Sequence, residues 1–342
     1  MGKLQQIAES AGCSVSTVSK VLNNYQQPFS VNPELRARIL AAKEKLDYRP
    51  NPYWRTLRSK KTNLIGVVTP PTVDMSGSEV AKWAFIETIR RRGYSEVVQY
   101  VGLQVPEGHL LDLPVDGACL FDLSGNCYED RMHACEQQLQ TRLENDAIPY
   151  VVINNPSPPS GISLLFDEAS VMRLMLDHLW ELGHRRIAYQ NAWLGQGNRR
   201  HCSELEREQE YVAWMQAHGQ APMAEYDNLH LPAGDFLRTV VANGATAVVC
   251  YYAKGALQLF LAARELGLSM PGDLSMICVN DNLALPYLSP PMTCVTLPWV
   301  EMGETAGRLL TTILAGTDVS PGDEHRFAGK LVVRASTCSP MT

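Results

Sequence analysis

Residues 7–23 read IAESAGCSVSTVSKVLN, and this segment predicts the structure of the amino-terminal part of the chain. A short apolar helix runs into Gly12, which can adopt the left-handed backbone that a tight turn between two helices requires. Ser14 then offers a hydroxyl N-cap to a second helix over residues 15–22, whose apolar residues recur at helical spacing. The pattern predicts a helix-turn-helix, and an ordinary pair of surface helices is the alternative.

The second helix has an outer face of small polar groups and one cation. Val15, Ser16, Ser19 and Lys20 fall outside its apolar stripe, so the sequence places them towards solvent. A helix with such a face can lie in the major groove of double-stranded DNA. The pattern therefore predicts a nucleic-acid-binding head.

Charge is distributed unevenly along the chain, whose formal net charge is −6. Residues 1–61 hold eleven Lys or Arg against four Asp or Glu, a balance of +7, whereas the remaining 281 residues have a balance of −13. A basic head gains affinity for DNA phosphates by counterion release, and an acidic body does not. The asymmetry supports a head that binds DNA and a body with another role.

A third helix and a short linker follow. Asn32 as the cap and a proline in the first turn predict a helix over residues 33–47, which completes a three-helix core. The prolines of YRPNP stop this helix, because a residue before proline is pushed out of helical geometry. We predict a head over residues 1–50 and a hinge helix with its linker over residues 51–63. A single helical turn should become ordered only when it packs against DNA or against the same segment of a partner subunit.

From Leu64 onwards, strands alternate with amphipathic helices. Apolar runs predict strands over residues 64–69, 96–101, 117–121, 150–153, 186–189, 247–251, 274–279 and 293–297. Helices are predicted over residues 78–92, 129–145, 168–182, 204–218, 253–266 and 300–314. This alternation is typical of parallel sheets covered on both faces, with ligands at the carboxyl ends of the strands. Its length favours two α/β subdomains that face a cleft.

The sequence contains no pattern typical of an enzyme, a metal site or a membrane protein. Its nine cysteines form no CxxC pair, and we expect Cys119, Cys127 and Cys135 to be apolar fillers of a reduced, cytoplasmic protein. The glycine pair in WLGQGNRR is not a complete phosphate loop, and a His such as His184 is more often a cap than a base. We predict no catalytic residue, metal, cofactor or membrane contact; an enzyme and a pure ligand carrier are the alternatives from other classes.

The chain resembles the LacI/GalR family of bacterial transcription regulators over essentially its whole length. The resemblance rests on the head, on LDYRPNPYWRTL at the hinge, and on LIGVV, LGHRRIAY, PGDLSMI, PPMTCV and LVVRAST in the body. It implies an N-terminal all-α helix-turn-helix head and a two-subdomain α/β core like that of periplasmic binding proteins. The core would occupy residues 64–342, with subdomain 1 at about 64–156 and 292–320 and subdomain 2 at about 157–291 and 321–342.

The function that the resemblance implies is control of transcription. The expected partners are a double-stranded DNA operator, a second copy of the chain in a homodimer, and a small-molecule effector, a sugar or related metabolite, bound between the subdomains. Repression is the default in the family. An activator and an effector-independent regulator are the alternatives within it.

The resemblance also assigns DNA contacts within the head. Base-reading positions fall on Val15, Ser16 and Lys20. Lys20 stands where the family usually has Arg, so a single ammonium group replaces a guanidinium that can form two parallel hydrogen bonds. The other positions match phosphate-contacting or capping residues, or lie on the same face. The predicted contacts in the head are Ser14, Val15, Ser16, Thr17, Ser19, Lys20 and Asn23.

The hinge is expected to contact the minor groove through Tyr53, Trp54 and Leu57. Leu57 matches the leucine that wedges between base pairs and kinks the duplex. Trp54 stands where the family usually has Ala. It can extend the wedge, pack on the partner's hinge or block the close approach of the two hinges, and we favour packing on the partner.

The resemblance places an effector site between the subdomains. Arg207 matches the arginine that holds effector hydroxyl or carboxyl groups, although ELERE at residues 204–208 is also typical of a solvated helix face. Tyr252 replaces part of the usual Asn-Asp pair after one strand, and this pocket is less polar than the family's hexose sites. Each of the other residues can instead cap a turn. The predicted effector contacts are Arg207, Asn154, Tyr252, Asn280 and Asp281.

Overall fold

The computed structural model of the chain comprises two compact units, residues 1–62 and residues 63–342. It describes residues 3–22, 31–48, 61–70, 77–101, 114–121, 130–156, 160–191, 201–223, 232–317, 320 and 322–341, with backbone alone for residues 130–135.

The described residues of the first unit form three helices around one small core. These are α1 (Lys3–Ala11), α2 (Val15–Leu22) and α3 (Pro33–Lys45). Gly12 has a φ of +65°, as a tight turn between α1 and α2 requires, and the side chain of Asn32 accepts a hydrogen bond from the backbone N–H of Glu34 over 2.9 Å. The helix-turn-helix and the third helix are confirmed. The core residues are Ile7, Ala8, Ala11, Val18, Val21, Ile39 and Ala42.

The second unit contains two sheets. The first has six parallel strands in the order β10-β5-β4-β3-β1-β2. Its members are β1 (Leu64–Thr69), β2 (Ser95–Tyr100), β3 (Gly117–Phe121), β4 (Tyr150–Ile153), β5 (Ile162–Phe166) and β10 (Glu324–Phe327). The second has the order β11-β9-β8-β7-β6 and is parallel except for β11. Its members are β6 (Ile187–Gln190), β7 (Ala247–Cys250), β8 (Ser275–Val279), β9 (Thr293–Thr296) and β11 (Lys330–Val332).

Helices cover both faces of each sheet. The first sheet packs between α5 (Asp130–Asn145) on one side and α4 (Gly77–Arg91) with α10 (Trp299–Leu314) on the other. At the contact of α4 and α10, a Cβ on Gly303 would lie only 2.1 Å from the carbonyl oxygen of Ala81, so glycine permits this close approach. The second sheet packs between α6 (Glu168–Glu181) with α7 (Cys202–Ala217) and, on its other face, α8 (Ala233–Ala242) with α9 (Ala253–Glu265).

The subdomain boundaries predicted from the sequence differ from those observed. β5 and β10, predicted for subdomain 2, pair with each other at the edge of the first sheet, and β9, predicted for subdomain 1, pairs with β8 in the second. The chain therefore crosses between the sheets three times: from β5 into α6, from β9 into α10, and from β10 to β11. The order of the elements in the sequence does not reveal which sheet a strand joins, because this depends on the strands with which it forms hydrogen bonds.

Buried thiols act as small apolar groups in this fold. Cys119 is fully buried, and Cys250, Cys278 and Cys294 occupy matching registers on three neighbouring strands. Burial raises the pKa of Cys119 well above its usual value and raises that of Cys294 to about 11, so these thiols stay protonated near neutral pH. Cys127, and the side chain of Cys135, lie outside the described residues. Within the ranges described, no helix has the length and apolar character needed to cross a bilayer.

Candidate functional site

The start of α2 is organised by hydroxyl groups. The backbone N–H of Thr17 donates to Ser14 Oγ over 3.1 Å, which makes Ser14 the N-cap that the sequence predicts. The hydroxyl oxygens of Ser16 and Thr17 each lie 2.8 Å from the same Ser14 Oγ. The cap thus holds the first turn of α2 and orients two neighbouring hydroxyls.

The solvent side of α2 carries the residues that the sequence places there. Val18 and Val21 are buried in the core of the head, whereas Ser16 is exposed and Val15 has 43% of its surface exposed. Thr17, Ser19 and Lys20 are half-buried beside them. This face offers a methyl surface, hydroxyl donors and acceptors and one ammonium group, which match the thymine methyl, base edges and phosphates of a major groove.

Four predicted DNA contacts lie outside the described residues. They are Asn23, at the end of the helix-turn-helix, and Tyr53, Trp54 and Leu57 in the hinge.

Arg207 lies in the interior of the core and forms an ion pair. Its Nε donates to Glu168 Oε2 over 2.6 Å, and both side chains are only 4% exposed. Its Nη1 donates to the backbone carbonyl of Tyr251 over 2.7 Å, and the guanidinium lies 4.6 Å from the ring centroid of Tyr251. Arg207 is therefore not part of a solvated helix face, and its fork joins the start of α6 to the end of β7.

Burial and the neighbouring charge have opposite effects on the pKa of each member of this pair. Burial alone would lower the pKa of Arg207, but the Glu168 carboxylate raises it above its ordinary value. Burial raises the pKa of the Glu168 carboxyl, and the guanidinium of Arg207 opposes this effect. A charged hydrogen bond of 2.6 Å is typical of an ionised pair.

A second set of hydrogen bonds connects the amino-terminal end of α7 to the first sheet. His201 caps α7 by accepting from the backbone N–H of Ser203 at Nδ1, and its Nε2 lies 2.8 Å from the carbonyl oxygen of Asn154, just after β4. The Ser203 hydroxyl lies 2.5 Å from the phenolic oxygen of Tyr251. Asn154 thus follows β4 directly, and its backbone carbonyl is the partner of His201.

The remaining predicted contacts have other partners. Asn280, with a φ of +68°, accepts a hydrogen bond from Trp299 Nε1 at its side-chain oxygen over 2.9 Å. Asp281 pairs with both terminal nitrogens of Arg334 and lines an open pocket of about 450 Å³ beside Trp299. Tyr252 is the half-buried residue that precedes α9, and its ring lies 5.7 Å from that of Tyr251.

The structure adds residues that sequence reasoning did not identify. They surround Arg207 or Asn280, and they are Glu168, His201, Ser203, Tyr251 and Trp299. Trp299 packs edge-on against Phe166 at 4.5 Å between centroids, which connects Asn280 to the end of β5. Glu168 and Tyr251 follow the carboxyl ends of β5 and β7 closely, so recognition of β5 as a strand would have indicated Glu168.

Comparisons with known proteins agree with both parts of the chain. Residues 3–51 match the family described as bacterial regulatory proteins, lacI family, and residues 176–337 match a periplasmic binding protein-like domain. The chain is 30% identical over 351 residues to the HTH-type transcriptional regulator reg1 of Streptomyces lividans, covering 98% of this chain and 97% of reg1. It is 29% identical over 350 residues to the HTH-type transcriptional regulator MalR of Streptomyces coelicolor, with the same coverage.

Solved structures share the fold. The lac repressor dimer bound to operator and the anti-inducer ONPF aligns with a TM-score of 0.77 at 23% identity and covers 97% of this chain and 98% of its own. A complex of the transcriptional regulator CelR with cellobiose aligns with a TM-score of 0.67, also at 23% identity, and covers 98% of this chain and all of its own.

Proposed function

Because this chain belongs to the lacI family of bacterial regulatory proteins, we propose that it is a transcriptional repressor controlled by a carbohydrate or related metabolite. The helix-turn-helix binds an operator, and the effector binds between the two sheets of the core and changes the affinity for that operator. The protein acts in the cytoplasm, where bacterial DNA is located. The relatives named above are transcriptional regulators rather than enzymes.

The exposed face of α2 is the observation that carries the DNA-binding role. Val15 and Ser16 are exposed at the start of a helix whose opposite side is anchored in the head by Val18 and Val21. A recognition helix reads bases through its amino-terminal residues, so these two residues are in the position that the role requires. The basic balance of residues 1–61 supplies the phosphate contacts.

A homodimer is supported by apolar side chains exposed on the first sheet and its helix. Trp83 on α4 has 62% of its surface exposed and Tyr100 on β2 has 55%, with Val80 and Val98 exposed beside them in the chain. β2 is the edge strand of that sheet. A second copy of the chain would cover this surface, and a two-fold dimer would present two heads to a pseudo-palindromic operator.

The effector site is proposed around Arg207, Asn154 and Tyr252, with Glu168 and Tyr251 as added members. Guanidinium, carboxylate and phenol groups at strand ends are suited to hydroxyl groups, and aromatic rings are suited to the apolar faces of sugars. One structural relative, CelR, is recorded in complex with cellobiose, which favours a carbohydrate here.

A second candidate function, regulation without an effector, is favoured by one observation. The Arg207 guanidinium already has two partners inside the chain, Glu168 and the carbonyl of Tyr251. An effector must therefore add to these contacts or displace one of them.

The test begins with the DNA. Duplexes selected from a random pool by the full-length protein should converge on a pseudo-palindrome, and binding should weaken by about a thousandfold between 50 and 200 mM salt. Carbohydrates are then screened for a change in affinity for that duplex. Failure to select any common sequence overturns the repressor role, and selection without any carbohydrate response favours the second candidate.

A further inference from the structure

Two groups of the chain already accept hydrogen bonds from the Arg207 guanidinium. Glu168 accepts from Nε over 2.6 Å, with both side chains 4% exposed, and the Tyr251 carbonyl accepts from Nη1 over 2.7 Å. An arginine that is to bind a phosphate or carboxylate must offer its fork to the ligand. Here a carboxylate of the protein itself already occupies one edge of that fork.

Two further ionisable groups lie at the start of α7, near this pair. Glu204 lies one turn before Arg207 on α7 and is buried, and its charge acts together with that of Glu168 on Tyr251. His201 is almost completely buried, which lowers its pKa to about 4, so its ring is uncharged near neutral pH. His201 therefore offers no second cation to an anion at this site.

From this arrangement we infer that Glu168 is a specificity-determining residue, which makes the effector site accept uncharged carbohydrates and reject their phosphorylated or acidic derivatives. The inference rests on the proposed effector site around Arg207. An entering anion would be repelled by Glu168 at low dielectric, and it would have to displace Glu168 to accept the hydrogen bond from Arg207 Nε. A neutral polyol can donate hydrogen bonds from its hydroxyl groups to carboxylate oxygens. It is not repelled by Glu168 and does not need to displace it.

Matched pairs of ligands test this selectivity in the full-length wild-type protein. Glucose is compared with glucose 6-phosphate and glucuronate, galactose with galacturonate, and cellobiose with cellobionate, by thermal shift and calorimetry at constant ionic strength. We expect each anionic member to bind at least tenfold more weakly than its neutral parent. An anionic member that binds as tightly as its parent, or more tightly, overturns the inference.

Glu168→Gln tests the residue. Glutamine keeps an oxygen that can accept from Arg207 Nε, and it removes the negative charge. We expect inorganic phosphate to raise the melting temperature of the variant but not that of the wild type. The ratio of the affinity for a neutral sugar to that for its anionic derivative should fall by tenfold or more. Glu210→Gln is the matched control, because Glu210 lies on the same helix and pairs with the exposed Arg173, and it should leave both readouts unchanged.

The outcomes separate this inference from the proposed function. If Glu168→Gln gains no response to phosphate, or if Glu210→Gln gains the same response, the role of Glu168 is overturned. If Glu168→Gln gains the phosphate response while no neutral sugar binds the wild type, the charge role stands and control by a carbohydrate fails. If Glu168→Gln does not fold, the matched pairs on the wild type decide.

Discussion

Arg207 on α7 and Glu168 at the start of α6 form a buried ion pair, with 2.6 Å between Arg207 Nε and Glu168 Oε2. The pair lies where the second sheet meets the crossing segment that leaves β5, so it connects two parts of the core. Removal of both charges is expected to lower the free energy of unfolding much less than removal of one, because a single buried charge would be left without an opposite charge beside it.

The first prediction concerns this pair. Arg207→Leu should lower the free energy of unfolding of the core by about 3–5 kcal/mol, because it leaves the Glu168 carboxylate buried without its cation. Glu168→Leu combined with Arg207→Leu should recover most of the loss in denaturant titrations. Arg326→Leu, which breaks a pair whose arginine is 39% exposed, should cost less than about 1 kcal/mol. Equal losses for the two single arginine variants would contradict the prediction.

The second prediction concerns pH. Burial lowers the pKa of His201 to about 4 in the folded chain, from an ordinary value of 6.5. Between these values the unfolded chain binds the proton and the folded chain does not, so stability is fully present above pH 6.5 and is lost as the pH falls towards 4. The loss amounts to about 3 kcal/mol. Denaturant titrations across this range should show it.

Two variants isolate this effect. His201→Asn keeps a side chain that can cap Ser203 and cannot titrate, so it should remove the His201 part of the pH dependence. His218→Gln changes an exposed histidine at the end of the same helix. It should leave the change of the free energy of unfolding with pH as it is in the wild type. A slope in His201→Asn equal to that of the wild type would assign the pH dependence to other groups, such as His178 and His184, whose pKa values burial also lowers.

The third prediction concerns base recognition. Ser16→Ala should weaken binding to the selected operator by about 1–3 kcal/mol and should change binding to unrelated duplexes little, because a base contact carries sequence information and a phosphate contact does not. Competition titrations with labelled operator measure both. Ser10→Ala makes the same change at an exposed position of α1 and should have no effect. A uniform loss on all duplexes would make Ser16 a phosphate contact.

The fourth prediction concerns Leu57, which lies outside the described residues. If Leu57 wedges into the minor groove, Leu57→Ala should weaken operator binding far more than non-specific binding and should reduce the bend of the bound duplex. Gel mobility of circularly permuted operator fragments measures that bend. Leu40→Ala removes an exposed leucine of α3 and serves as the control. An unchanged bend would show that Leu57 is not a wedge.

The sequence predicts most elements of the core because strands covered on both faces form continuous apolar runs. The strands over residues 64–69, 117–121 and 150–153 are found at the predicted bounds. The sequence does not predict β10, because its residues EHRF alternate in burial at a sheet edge. It does not predict β5, because the five residues ISLLF follow a proline-rich stretch of sequence. The missed β5 explains why Glu168 was overlooked.

The candidate site was predictable only where a single residue matched a family position. Arg207 was predicted from its place on α7, but its partner is 39 residues away in sequence and meets it only through tertiary packing. Asp281 was predicted from its position after β8, but it pairs with Arg334, which enters from the carboxyl-terminal segment. Such long-range pairs leave no local pattern in the sequence.

The fifth prediction concerns the homodimer. Trp83→Lys places a charge on an apolar surface that, in our proposal, a second copy covers, so the variant should be monomeric at concentrations at which the wild type is a dimer. Sedimentation velocity measures the change, and operator affinity should fall with it because one head contacts one half-site. Leu205→Lys, at a half-exposed position of α7 on the second sheet, should remain a dimer. If Trp83→Lys remains a dimer with full operator affinity, the interface lies elsewhere on the core, and the exposed Leu283 and Tyr287 are the next residues to change.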